Sequence, residues 1–94
     1  MLESQIQRRV LNYLATFRDS MAIKIIRTNT NGTPDVVFMW KGKCIWIELK
    51  RPGQKPRPLQ QAVARRITRA GCSVYTATSI KDVKEIIRKE FGHA

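Results

Sequence analysis

The sequence predicts an α/β fold with elements in the order αβββαβα, a four-stranded mixed sheet flanked by helices. Apolar residues recur at three- and four-residue intervals in three separate segments, which is the helical period. Four short stretches rich in β-branched and aromatic residues lie between turn signals, the pattern of strands. The middle helical segment falls between the third and fourth strands. It supplies the crossover that lets the last strand run parallel to one of the hairpin strands.

The first helix is predicted from Glu3 to Phe17, with Ile6, Val10, Leu14 and Phe17 as its apolar stripe and Leu11 and Tyr13 beside it. "RDSM" breaks it, and "AIKIIR" (Ala22 to Arg27) reads as a strand. The polar "TNTNGTP" that follows is a loop. Asp35 then opens the strand "DVVFMW", which turns at Lys41-Gly42-Lys43 and returns as "CIWIELK", a β-hairpin. "RPGQKPRP", with three prolines and a glycine in eight residues, forms a basic loop. Leu59, Val63, Ile67 and Ala70 mark the second helix, with Pro58 suited to its first turn and Gly71 to its end. "CSVYTA" is the fourth strand. Ser79 and Asp82 cap a third helix whose apolar face is Val83, Ile86, Ile87 and Phe91.

Ninety-four residues suit one domain, 1–94, with a core small enough that oligomerisation has to be considered. With 43% hydrophobic and 27% charged residues, the chain has a globular composition. Eighteen Lys and Arg against seven Asp and Glu give a net charge of +11, which calls for a polyanionic partner: nucleic acid first, an anionic membrane second. The basic residues are spread along the chain, as on a folded basic surface. No apolar run nears the ~20 residues of a membrane helix, and the N-terminus lacks a signal-peptide core, so the expected location is intracellular, cytoplasm or nucleoid. The two cysteines, Cys44 and Cys72, have no metal-site or disulfide spacing and read as ordinary core residues. His93, beside the C-terminus, reads as a frayed end.

Acidic residues are scarce, so their placement is informative. The strand period puts Glu48 and Lys50 on one face of "CIWIELK", and folding the hairpin brings Asp35 alongside residues 48 to 50. Two carboxylates and an ammonium then meet at one end of the hairpin. Oxygen ligands of this kind suit Mg²⁺ or Mn²⁺, and the lysine can help activate a water or stabilise charge on a phosphate. The alternative is a same-face ion pair of Glu48 with Lys50, and Asp35 as a polar turn residue.

Pro34-Asp35, twelve intervening residues and Glu48-Leu49-Lys50 resemble the PD-(D/E)XK nuclease motif. "GTPDVVF", "IWIELKRPGQKPRPLQQ", a helix ending in "RAG" and the strand "CSVYTA" together are similar to its VRR-NUC branch, over most of the chain. The resemblance implies a restriction-endonuclease-like core in which Asp35, Glu48 and the Leu49 carbonyl hold the metal and Lys50 assists the attacking water. It further implies an acidic residue on the first helix, here Glu3, and a glutamine opening the second helix, here Gln60. For Glu3 the alternative is a favourable charge at a helix N-terminus. For Gln60 it is a solvent-facing residue.

Together these readings predict a Mg²⁺- or Mn²⁺-dependent DNA endonuclease. Its Arg51, Lys55, Arg57 and Arg65 would contact DNA, with Arg66 and Arg69 also facing solvent. One active site per chain requires a homodimer for symmetric cutting of two strands, and four-way (Holliday) junctions share that symmetry. Trp40, Trp46 or the first helix is the candidate interface. The alternatives are a nuclease for flap or single-stranded DNA, a non-catalytic DNA-binding module of the same fold, and an RNA-binding protein. The last is disfavoured by the lack of an aromatic stacking platform.

Overall fold

The computed structural model describes residues 3–92. Its elements are α1 (Glu3–Leu14), β1 (Met21–Lys24), β2 (Val36–Trp40), β3 (Lys43–Leu49), α2 (Pro58–Arg69), β4 (Ser73–Ala77) and α3 (Ile80–Phe91). They form one four-stranded sheet in the order β1-β2-β3-β4, antiparallel except for the parallel β3–β4 pair. This is the mixed sheet that the sequence order predicts. His93 lies outside the described residues.

The hairpin register follows from a two-residue turn. Trp40 pairs with Lys43 across Lys41 (φ 50°) and Gly42 (φ 78°). Positive φ at both central positions gives the turn a twist that matches the strands it joins. Pairing then runs to Val36 opposite Ile47, which sets Asp35 opposite Glu48 just beyond the last rung.

Alternation along the strands sorts their side chains onto two faces. Val36, Phe38, Ile45, Ile47, Leu49 and Ala77 form a buried core with Ile6, Val10 and Leu14 of α1 and Val83, Ile86 and Ile87 of α3. The second face is covered by α2, which packs on β4 and whose one buried residue is Val63. Over β1 that face is open: Met21 is 58% and Ile23 36% exposed.

Several expectations are corrected. α1 stops at Leu14 rather than Phe17, because tighter bonds take over, with Thr16 N–H on the Tyr13 carbonyl (3.1 Å) and Phe17 N–H on that of Leu14 (3.3 Å). β1 ends at Lys24 rather than Arg27. Ile25 N–H still reaches the Asp35 carbonyl at 2.7 Å, and beyond that bond the chain leaves the sheet. Cys44 and Cys72 are half-buried rather than core residues, since they lie on the lightly covered face. Their thiols are neighbours, and burial first, then Cys72, pushes the Cys44 thiol up.

Trp40 belongs to an aromatic cluster. Its ring centroid lies 4.8 Å from Phe17 and 5.0 Å from Phe91, and its indole N–H donates to the Arg18 carbonyl at 2.9 Å. Trp46 lines a cleft with Val63 and Ile67 of α2. Packing accounts for Trp40. The expected caps are present: Ser79 Oγ accepts from Asp82 N–H at 3.1 Å, and Asp82 Oδ2 accepts from Thr78 N–H at 2.8 Å.

Candidate active site

The acidic end of the hairpin is built from three backbone events. Pro34 is buried and ends the preceding loop, so Asp35 enters β2 at a fixed point. Leu49 is the last residue of β3, and its N–H donates to Asp35 Oδ2 at 2.8 Å. Lys50 leaves the strand, yet its N–H still donates to the Ala77 carbonyl at 2.9 Å. The side chain of Asp35 and the strand β4 thus hold successive amides of the same chain end.

Glu48 is only 7% exposed, the one buried charged residue among those described. A carboxylate so placed needs partners. Its Oε2 receives two, Lys50 Nζ at 3.2 Å and Gln60 Nε2 at 2.8 Å. Gln60 Oε1 in turn accepts from Arg57 N–H at 2.8 Å, half of a capping box at the start of α2. A backbone N–H on one side and a carboxylate on the other leave the Gln60 amide a single orientation. Gln60 therefore connects the cap of α2 to the carboxylate.

Asp35 lies opposite Glu48 at the end of the hairpin, close enough for the charge of one to act on the other. Burial pushes the Asp35 carboxyl up, against the pull of the Leu49 N–H. Burial, then the charge of Asp35, pushes Glu48 up, and Lys50 opposes both. The charge of Glu3 raises each of them further, so helix one does face the site electrostatically. Among the described residues no three His, Cys, Asp or Glu side chains converge as a metal cluster.

A buried and a half-buried carboxylate with one ammonium carry an excess of negative charge that a hard divalent cation would neutralise. The oxygen donors present fit Mg²⁺ or Mn²⁺. Beside Glu48 lies a pocket of about 280 Å³, lined by Gly32, Pro34, Gln60, Gln61, Arg65 and Thr76 among others. Arg65 is thus at the site, while Arg51, Lys55 and Arg57 are exposed on the segment that joins Lys50 to α2. Thr76 was not anticipated. The parallel register Glu48–Thr76 places it there, and that register depends on which hairpin strand β4 joins.

Two solved structures share this architecture. One, described as a VRR_NUC domain, has a TM-score of 0.78 at 21% identity, over 95% of this chain and 96% of that one. The fold is a VRR-NUC fold. A second, a VRR_NUC domain protein, has a TM-score of 0.82 at 16% identity, over 98% of this chain and 89% of that one. No protein-family model and no curated protein matches the sequence. Within this fold Asp35, Glu48 and Lys50 meet at one end of the β2–β3 hairpin.

Proposed function

We propose that this chain is a metal-dependent nuclease that hydrolyses DNA phosphodiester bonds. The observation that carries the reading is the buried Glu48 paired with Asp35 and bonded to Lys50, on a chain of net charge +11. Electrostatic DNA binding alone gives no reason to bury carboxylates near phosphates. Asp35, Glu48 and the Leu49 carbonyl would hold Mg²⁺ or Mn²⁺. When bound, the cation supplies Lewis-acid polarisation of the scissile phosphate and lowers the pKa of a water.

The protein's own groups do the rest. Gln60 and Lys50 fix the Glu48 carboxylate through Oε2. Lys50 Nζ would orient the attacking water and offset charge on the phosphate. Attack forms a new P–O bond, the bond to the leaving oxygen breaks, and that oxygen takes up a proton. Arg65 beside the pocket and Arg51, Lys55 and Arg57 on the adjoining loop supply contacts to the DNA backbone.

Branched DNA, four-way junctions in particular, is the proposed substrate, with two copies of the chain cutting opposed strands. Since Trp40 is engaged in packing and Trp46 lines the cleft beside α2, the exposed Met21 and Ile23 on edge strand β1 become the preferred contact between copies. Among the described residues no helix is long and apolar enough to cross a membrane.

One experiment tests class and substrate together: labelled junction, flap, single-stranded and linear duplex DNA, each with Mg²⁺, Mn²⁺ or EDTA. Metal-dependent cutting of junctions, lost in Asp35→Ala and Glu48→Ala with DNA binding kept, is expected. Cutting by either variant overturns the site. Preference for flap or single strands overturns the substrate, and binding without cleavage of any DNA makes the chain a non-catalytic module.

A further inference from the structure

The loop of residues 28–34 and the start of α2 meet at Gly32 and Leu59. A Cβ added to Gly32 would lie 3.0 Å from both the carbonyl oxygen and Cγ of Leu59, and Gly32 has φ +87°. Backbone abuts backbone here, so only a residue without a side chain lets the loop close on the helix. Leu59 is 53% exposed, so the core does not hold it. Its neighbour is Gln60, whose amide bonds Glu48.

The loop has little room to yield. The hydroxyls of Thr28 and Thr33 each donate to the Thr30 carbonyl at 2.7 Å, and the two hydroxyls lie 3.1 Å apart. Its far end is fixed by buried Pro34 and by Asp35, which holds the Leu49 amide. A displacement at Gly32 therefore goes into the first turn of α2.

We propose that Gly32 is a positioning residue for this site: its bare backbone seats the loop on Leu59 and so sets the Gln60–Glu48 hydrogen bond. The elements that carry Asp35 and Gln60 are registered against each other at this contact. The catalytic consequence rests on the nuclease reading; the structural one does not.

The test compares Gly32→Ala with Gly42→Ala. Gly42 also has positive φ, +78°, but an added Cβ there meets nothing within 4 Å, and it lies at the hairpin tip, away from the site. Both variants carry the backbone cost; only the first adds the collision. The readouts are the NMR resonance of the Gln60 side-chain amide, identified by its loss in Gln60→Ala, and the kcat and KM for junction cleavage.

Gly32→Ala is expected to move that resonance to its solvent-exposed position and to lower kcat about tenfold or more, with KM within about twofold. Gly42→Ala should leave both as in the parent. An unmoved resonance in Gly32→Ala, or the same change in both variants, overturns the proposal. If Gly32→Ala does not fold, Leu59→Ala removes the Cγ half of the contact and is read by the same resonance, with the same overturning result. If the parent cuts no DNA, the nuclease reading fails while the resonance still decides the role of Gly32.

Discussion

Replacing Asp35 by Asn should abolish activity and stabilise the metal-free protein. The asparagine keeps an acceptor oxygen for the Leu49 N–H, which Asp35 now bonds at 2.8 Å, so the end of β3 stays tied. It removes one of two like charges in a partly desolvated site. Relief of a functional strain of this kind contributes on the order of 1 kcal/mol. In a domain of this length that raises Tm by about 4–8 °C.

The sign with pH follows from the carboxyl groups. Both are raised in the folded state, so between their unfolded values near 4 and the folded ones the native protein binds more protons than the unfolded chain. Stability of the metal-free parent therefore falls as pH rises through that window, and the gain from Asp35→Asn should shrink as pH is lowered from 7.5 to 4.5. Thermal unfolding in EDTA across that range measures it. Excess Mg²⁺ should raise the Tm of the parent but hardly that of the variant. A variant less stable than the parent at pH 7.5 in EDTA, or a gain independent of pH, would refute the argument.

Two further outcomes are expected. Phe38 is fully buried, with ring centroids of Phe17 and Phe91 each 6.0 Å away, so Phe38→Ala should cost about 3–5 kcal/mol in urea unfolding; a loss below about 1 kcal/mol would contradict the packing. Both tyrosines should ionise above pH 10: burial raises Tyr13, and burial together with the Glu90 carboxylate pushes Tyr75 up to about 12. Absorbance at 295 nm should then show no midpoint at 10 in the folded protein, and stability should fall from pH 10 upward as the unfolded chain loses phenolic protons first.

The order of elements was legible because each segment carries its own period and its own stop signals. So was the meeting of Asp35, Glu48 and Lys50, since a short hairpin turn and a period of two leave little freedom in register. The rest depends on partners far along the chain. The end of β1 is decided by where its neighbour β2 begins, not by the β-branched run Ile25-Ile26. The half-burial of Cys44 and Cys72 depends on how much of one sheet face α2 covers. Gln60 could be assigned to solvent or site only once the rotation of α2 was known, because its neighbours Leu59 and Gln61 are both exposed.

The hairpin register has a consequence for how such a sequence can drift. Twelve residues separate Asp35 from Glu48, and the two face each other only because that number is even. Adding or deleting a rung, one residue on each strand, would lengthen or shorten the ribbon and leave the acidic end facing as before. A single inserted residue would turn Glu48 into the core and Leu49 outward, unless a bulge absorbed it. Variation in the Asp-to-Glu spacing among functional sequences of this fold should therefore come in steps of two.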